Sequence, residues 1–272
     1  MKPEDFLKQL KPYQIKECVY PIRRIKVSED YVMVYLEEEK IMVSIETYFR
    51  YGLKDLKGLD DELYGILKKD EKYTKAYRSC LRKLSAKDHT VRQIEDHLRN
   101  MELEKPDRAA IVDRLKSYGL LDDEKYCASR ISWYSKNNLS SRQIRQKLAR
   151  DGIDEELIGK YVTVNSEEEA KKAKAVAAKY AGSLNNRPLA AKKRMILNKL
   201  MASGFSYEIG RDAVADLELD ADRDLELLEK EYRKIRRKYE KKYTDFELER
   251  HISAALYAKG FRMEDIRKVM EE

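Results

Sequence analysis

At 272 residues the chain is longer than the roughly 100 to 200 residues at which single cores usually stop growing, so we expect two or more modules. Charged residues make up 39% and hydrophobic residues 42% of the chain, with only 10 Gly and 5 Pro, which favours a helical repeat protein over a β-sandwich or barrel. The net charge of +7 favours an anionic partner, such as nucleic acid or an acidic protein surface.

Residues 22–45 alternate polar and apolar side chains, with breaks at the sequences SED and EEEK. This alternation predicts three short antiparallel strands, in the only strand-like region of the sequence. Such a small sheet needs cover, so we expect short helices at TYFRYGL and DDELYGILKK to pack on one of its faces. Residues 1–70 are therefore predicted to form a small β-rich α/β module.

From about residue 71 the apolar spacing is helical, and a repeat emerges when three glycines are aligned. Each has isoleucine eight residues earlier, leucine four residues earlier and an apolar residue directly after it. We predict that the glycine ends a helix in the left-handed conformation and that the apolar residue folds back on the leucine, as in a Schellman motif. The aligned sets are Ile144, Leu148, Gly152 and Ile153; Ile196, Leu200, Gly204 and Phe205; and Ile252, Leu256, Gly260 and Phe261.

A further helix precedes each of these helices and another follows, with Asp154 and Ser206 as predicted caps, so the repeating unit has three helices. A weaker copy keeps Ile94 and Leu98 but has Glu102 in place of the glycine. Units of this size bury their apolar faces against one another, so we predict a mainly α fold of tandem three-helix repeats in an elongated, curved array. The predicted repeats are 71–118, 119–165, 166–219 and 220–272.

The segment 115–158 reads LKSYGLLDDEKYCASRISWYSKNNLSSRQIRQKLARDGIDEELI. It resembles the signature of the RecX family, with its GLLDD turn, a helix rich in aromatic residues, and an SRxIRQxLxxxGI helix followed by an acidic cap. The strand module resembles the N-terminal extension of long RecX proteins of Gram-positive bacteria, and MILNKLMASGFSYEIGRDAV resembles their later units. Two departures are the turn LEEEK, which lacks the usual glycine, and KNNLSSR, where many members have a glycine.

The resemblance implies a non-enzymatic regulator of the RecA recombinase that binds the RecA nucleoprotein filament. Members of the family typically inhibit strand exchange, ATP hydrolysis and the co-protease function in the SOS response, and many also bind single- or double-stranded DNA. We expect a monomer with these partners. A sequence-independent DNA-binding helical protein and a helical adaptor for another protein are the alternative functions.

The sequence contains neither a GxxxxGK[ST] phosphate loop nor a GxGxxG motif, so we predict no cofactor and no enzymatic activity. His89 and His97 are eight residues apart, whereas two ligands on one helix face stand four apart, so we predict no metal site. The three cysteines form no CxxC pair, which fits a reducing cytoplasm. Without a signal peptide or a long apolar run, the protein is predicted to be soluble and cytoplasmic and to avoid membranes.

Three basic segments lack the mixed signs that favour pairing on a helix surface. Residues 140–150 contain four cations and no acid, residues 170–207 contain nine cations and no acid, and residues 230–242 carry a net charge of +6. Either the acidic stretch 216–231 neutralises the third repeat, or the basic faces bind DNA phosphates or the acidic wall of a filament groove. The candidate contacts are Arg142, Arg145, Lys147, Arg150, Lys192, Lys193, Arg194, Lys199, Arg233, Arg236 and Arg237.

Aromatic residues interleaved with these cations are also compatible with base stacking on single-stranded nucleic acid. Tyr126, Trp133 and Tyr134, however, have the helical spacing of a buried face. We therefore expect all three to pack in the second repeat against Leu148.

Overall fold

A computed structural model of the protein describes residues 13–218 and 222–271. Over these ranges the chain is mainly helical with a small strand module near its N-terminal end, which confirms the predicted fold class. The parts of our predictions that concern residues 1–12, 219–221 and 272 lie outside the described residues. The chain divides into two compact units, one formed by residues up to 126 with 151–153, the other by residues 127–150 with those from 154 onward.

The strands are β1 (Tyr20–Pro21), β2 (Arg24–Val27), β3 (Val32–Tyr35), β4 (Lys40–Val43) and β5 (Gly58–Leu59). The α-helices of the described residues are α1 (Ile45–Arg50), α2 (Asp61–Ala86), α3 (Val91–Arg99), α4 (Lys105–Ser117), α5 (Asp123–Lys136), α6 (Ser141–Asp151), α7 (Glu155–Tyr161), α8 (Ser166–Gly182), α9 (Leu189–Ala202), α10 (Tyr207–Ala215), α11 (Asp222–Tyr239), α12 (Asp245–Lys259) and α13 (Met263–Glu271). None of these helices has the length and apolar character needed to cross a membrane.

The strand module contains the three antiparallel strands expected from the alternating pattern, in the order β2-β3-β4. Val32, Val34 and Ile41 are fully buried on one face, which packs against Leu63 and Leu67 of α2. The expectation that no other part of the sequence forms strands is wrong, because β1 and β5 also pair antiparallel. Each of these two strands has only two residues, too few for a period-two pattern to be visible.

The segment DDELYGILKK forms the start of α2, which is a helix of 26 residues and not the short helix that we expected. Asp60 caps it by accepting the backbone N–H of Leu63 at 2.8 Å. Leu67 belongs to the core of the strand module, whereas Ala76 and Cys80 belong to the next core along the chain. The predicted boundary at residue 70 therefore falls inside a continuous helix that serves both cores.

Beyond the strand module the described helices follow one another in groups of three, and we propose that each group is one repeat. Repeat 1 comprises α2–α4, repeat 2 α5–α7, repeat 3 α8–α10 and repeat 4 α11–α13. The middle helix of each buries the predicted isoleucine and leucine. These residues are Ile94 and Leu98, Ile144 and Leu148, Ile196 and Leu200, and Ile252 and Leu256.

The middle helices of repeats 2, 3 and 4 end as predicted, at glycines in the left-handed conformation. Their φ angles are +89° at Gly152, +79° at Gly204 and +100° at Gly260. The N–H of Phe205 donates to the carbonyl oxygen of Leu200 at 3.2 Å, and that of Phe261 to Leu256 at 3.3 Å. These bonds satisfy carbonyl groups that a helix end leaves without partners, as a Schellman motif requires.

The third helices begin where short-range signals predict. Asp154 accepts the N–H of Glu156 at 2.8 Å, and Ser206 accepts that of Ile209 at 3.3 Å. Pro106 lies in the first turn of α4, where its missing N–H costs no helical hydrogen bond. The predicted caps Asp154 and Ser206 are therefore confirmed.

Consecutive repeats share one joint, in which the start of one middle helix meets the glycine turn of the next repeat. In repeat 1 the hydroxyl of Thr90, the N-cap of α3, donates to the carbonyl oxygen of Asp151 at 2.6 Å. In repeat 2 the hydroxyl of Ser140 donates to the carbonyl oxygen of Ser203, also at 2.6 Å. The accepting carbonyl directly precedes the glycine in both cases, so the glycine turn itself is held by the neighbouring repeat.

The close approach at this joint gives the glycines a second role. A Cβ atom would lie 2.4 Å from Cδ of Arg92 at Gly152, 2.9 Å from Oγ of Ser140 at Gly204, and 2.9 Å from Cβ of Ala191 at Gly260. All three distances are shorter than van der Waals contact. Any side chain here would therefore force neighbouring repeats apart as well as strain its own backbone.

A carboxylate completes each joint by accepting the first backbone N–H of the preceding middle helix. The N–H of Val91 donates to Asp123 at 2.9 Å, that of Ser141 to Glu169 at 3.0 Å, and that of Leu189 to Asp224 at 2.8 Å. Helix N-termini have free N–H groups and a positive dipole end, so an acid there is favourable. Burial raises the pKa of Asp123 and of Asp224, and the donated N–H opposes that rise.

We expect Gly204→Ala to lower the free energy of unfolding by about 1–3 kcal/mol, through the positive φ angle and the contact with Ser140. The matched control is Gly159→Ala in α7, where a Cβ atom meets nothing within 4 Å and the backbone is helical. This control should leave stability unchanged or raise it by up to about 1 kcal/mol. Urea unfolding followed by circular dichroism measures both variants. Equal unfolding midpoints for Gly204→Ala and Gly159→Ala would contradict the role assigned to Gly204 in the joint.

We expect Asp123→Ala to cost about 1–2 kcal/mol, because it leaves the N–H of Val91 without its acceptor. Asp123→Asn keeps an acceptor oxygen and should cost less. Because the pKa of Asp123 is raised in the folded state, its ionisation lowers stability as pH rises above about 4. The difference in stability between Asp123→Asn and wild type should therefore shift in favour of the Asn variant as pH increases. Urea midpoints of both proteins, measured from pH 3 to 7, show whether the difference changes in this direction.

Candidate interaction surface

The middle helix of repeat 2, α6, presents a basic face opposite its buried side. Ile144 and Leu148 are buried, whereas Arg142 and Arg150 are exposed. Neither arginine forms an ion pair with any residue that the structure describes. Two cations that the fold leaves without a counter-charge are thus available to an anionic partner.

The two other candidates on α6, Arg145 and Lys147, have partners outside the acid-free segment 140–150. Arg145 donates to the carbonyl oxygen of Val162 at 2.7 Å and lies 3.7 Å from a carboxylate oxygen of Glu155. Both partners come from the following helix and the residue after it, beyond the segment on which the expectation rested. Lys147 places its ammonium 5.6 Å from the ring centre of Tyr134, which is a cation–π contact.

The middle helix of repeat 3, α9, supplies a second set of exposed cations. Lys193, Arg194 and Lys199 are exposed, and none pairs with an acid in the described parts of the chain. Lys192 is half-buried and lines a shallow cleft together with Glu218 and Asp224. The exposed cations of α9 therefore resemble Arg142 and Arg150 in lacking counter-charges.

The neutralisation alternative explains a different part of repeat 3. Lys174 on α8 lies 2.6 Å from Asp216, and the buried Lys172 lies 3.4 Å from Glu169. Further along the acidic stretch, Glu231 binds Lys259 at 2.6 Å. Across residues 13–218 and 222–271, no acid of the stretch 216–231 forms an ion pair with a candidate cation of α9. Neutralisation by the acidic stretch thus accounts for Lys174 of α8 and leaves the charges of α9 available.

The basic helix α11 is more extensively paired within itself. Arg233 binds Glu229 at 3.1 Å, and Arg236 donates to the hydroxyl of Tyr232 at 3.0 Å. Arg237 is exposed on the same helix and has no ion pair to a described residue. Because two of its three candidate cations already have partners, α11 is a weaker candidate for an anionic partner than α6 or α9.

An arginine, missed in the sequence analysis, stands two residues before the shared isoleucine of every middle helix. The pattern R-x-I-x-x-x-L was visible in all four copies. The four arginines are Arg92, Arg142, Arg194 and Arg250, and all are exposed. The aliphatic part of Arg92 also packs on the glycine turn of repeat 2. One basic position thus recurs on the surface of all four middle helices, and in repeats 1 and 2 it lies beside the glycine turn of the next repeat.

Trp133 contradicts the expected packing of the aromatic residues on α5. Tyr126 and Tyr134 are buried as predicted, but Trp133 remains 56% exposed. On a helix a residue directly adjacent to a buried one is rotated by about 100°, which carries Trp133 off the buried face. Its exposed ring contacts Tyr134, the same ring that Lys147 of α6 covers.

The histidines considered as metal ligands instead make local hydrogen bonds in repeat 1. His89 Nδ1 lies 3.1 Å from the side-chain oxygen of Gln93, and His97 Nε2 lies 2.8 Å from the hydroxyl of Ser79. Burial lowers the pKa of both rings. In the part of the chain that the structure describes, no cluster of three or more His, Cys, Asp or Glu residues is arranged to hold a metal ion.

Comparison with known proteins shows similarity to one family. Residues 222–270 match the family model described as RecX, third three-helix domain, and they correspond to our repeat 4. Regulatory protein RecX of Streptococcus agalactiae serotype Ia is 30% identical over 198 residues, which cover 70% of this chain and 74% of that protein. Regulatory protein RecX of Streptococcus thermophilus is 27% identical over 251 residues, covering 89% of this chain and 95% of that protein.

A solved structure described as regulatory protein RecX shares the fold, with a TM-score of 0.57 at 23% identity. The alignment covers 73% of this chain and all of that one. The sequence relatives add an identity of 30% over most of both chains. The chain therefore belongs to the RecX family of regulatory proteins.

Proposed function

We propose that this protein is a non-catalytic regulator that binds RecA nucleoprotein filaments in the cytoplasm as a monomer. On this proposal it inhibits the recombinase, ATPase and co-protease activities of RecA in DNA repair and the SOS response. Support comes from relatives named regulatory proteins and from the exposed cations of α6 and α9. The single observation that carries the proposal is the absence of counter-charges for Arg142, Arg150, Lys193 and Arg194 among the described residues.

These cations suit a partner that carries many negative charges in a row. Exposed arginine and lysine residues that bind phosphates release condensed counterions, which makes binding strong at low salt and strongly salt-dependent. Arg142 and Arg194 occupy equivalent positions in repeats 2 and 3, two residues before Ile144 and Ile196. Equivalent cations on consecutive repeats match a partner with repeating charge, such as the DNA of a filament or the protein wall beside it.

A sequence-independent DNA-binding protein is the second candidate function, favoured by the same exposed cations. The two functions differ in what the protein requires for tight binding. A filament regulator should bind RecA assembled on single-stranded DNA more tightly than either component alone, whereas a DNA-binding protein should bind equally well without RecA. A helical adaptor for another protein should bind neither.

We predict that reversing four charges, by changing Arg142, Arg150, Lys193 and Arg194 to Glu, will abolish filament binding without unfolding the protein. Arg145 is left unchanged because it holds the carbonyl oxygen of Val162. If all four contact phosphates of single-stranded DNA, the slope of log affinity against log salt should flatten by about 3. Fluorescence anisotropy with labelled DNA, bare and coated with RecA, at several salt concentrations measures this change.

The matched control reverses four exposed cations outside these faces, Lys54, Lys57, Arg82 and Lys87. It changes the net charge equally, so it reports the general electrostatic attraction of a basic protein. The control should retain most of the affinity and salt slope. Equal losses in both variants would contradict the specific role of α6 and α9, and unchanged binding of the first variant would place the partner elsewhere.

The protein purified without RecA should hydrolyse no ATP, with or without DNA, because its sequence contains no phosphate-binding loop. Release of inorganic phosphate measured over hours, in a preparation shown by mass spectrometry to be free of RecA, provides the test. ATP hydrolysis that co-elutes with the protein in gel filtration would overturn the non-catalytic assignment.

A further inference from the structure

We propose that Trp133 is a stacking platform for an unpaired base of single-stranded nucleic acid, an inference that rests on the proposed function and names one contact within it. Trp133 is the only tryptophan of the chain and stands 56% exposed on α5. Large aromatic rings usually bury most of their surface in the fold. A ring left in water at this position is therefore available to a ligand with an aromatic face of its own.

The surroundings of Trp133 hold it in place. Its ring meets that of Tyr134 edge to face, with the two centres 5.3 Å apart. The side chain of Asn137 donates to the carbonyl oxygen of Trp133 at 2.8 Å, which stabilises the last turn of α5. Tyr134 is buried, so the exposed ring leans on a fixed neighbour. Such pre-organisation reduces the entropy that a base would lose on stacking.

The charge around Trp133 selects an anionic partner. No acidic residue occurs between Glu124 and Asp151, while the same stretch contains seven cations. Lys136 is exposed one helical turn beyond Trp133, and Lys147 of α6 lies over the ring of Tyr134. Trp133 of α5 and Lys147 of α6 thus contact the same buried ring, that of Tyr134, which places a cation of α6 close to the exposed indole.

This combination matches the way in which proteins bind single strands without sequence preference, by backbone contacts from cations and by base stacking on aromatic rings. A duplex keeps its bases stacked inside and offers them to no external ring. An apolar protein partner would instead be expected to meet further apolar side chains around a tryptophan. The helix neighbours of Trp133 are polar or charged, namely Ser129, Arg130, Lys136 and Asn137. The single strand is therefore the partner that these observations favour.

The experiment uses the fluorescence of this sole tryptophan in the full-length protein. Titration with oligothymidylate should quench the emission, whereas an abasic strand of equal length, which keeps the phosphates and lacks the bases, should bind without quenching. Trp133→Ala should weaken binding to oligothymidylate by roughly 5- to 100-fold, the range that base stacking supplies. It should leave affinity for the abasic strand and the salt slope unchanged, and Trp133→Phe should restore most of the loss.

Tyr257→Ala is the matched control, because Tyr257 is 63% exposed and lies on α12, outside the three basic segments. It should bind like wild type. Tight, salt-dependent binding of oligothymidylate without quenching would overturn the stacking role while leaving the proposed function intact. Loss of filament binding by Trp133→Ala with unchanged binding of bare single strand would assign Trp133 to a protein contact and also overturn the inference. If the wild-type protein binds neither the filament nor the single strand, both the proposed function and the stacking role of Trp133 are wrong.

Discussion

The joint between the start of one middle helix and the glycine turn of the next repeat is the constraint on which the helical part of this protein depends. It combines a hydroxyl that binds the carbonyl before the glycine, as Thr90 does with Asp151, and a carboxylate that accepts the first helical N–H, as Asp123 does with Val91. Both bonds satisfy backbone groups that helix ends leave unpaired. Short helices tend to fray at their ends. Here the helix ends are instead held by hydrogen bonds to the neighbouring repeat.

Repeats 1 and 4 each carry a charged residue at a position that is small in the other joints. In repeat 1, Glu102 occupies the glycine position with an almost fully exposed side chain. Counted from the shared isoleucine, Glu247 of repeat 4 occupies the position at which Ala191 of repeat 3 approaches Gly260. The close approach that requires a small residue is therefore a property of the joints between repeats and not of every helix end.

Short-range features of this fold could be predicted from the sequence, and long-range ones could not. Gly204 with Phe205, and Ser206 as a cap, act within a few residues, so their patterns carry the structural information directly. The pairing of β1 with β5, the bond of Arg145 to Val162 and the exposure of Trp133 depend on where the chain returns in space. The basic segments of the candidate surface were visible in the sequence, but which cations remain unpaired required the neighbouring helices.

The position of the recurring arginines links the joint to the surface. Arg92 packs its aliphatic stem against Gly152, and Arg142 lies beside Gly204 in the same way, while both side chains stay largely exposed. Long cationic side chains commonly bury their methylene groups and leave the charged end in water. Because the stem is held by the next repeat, the charge of each arginine is placed by the joint itself. The contact that joins two repeats therefore also holds an exposed cation at the surface beside it.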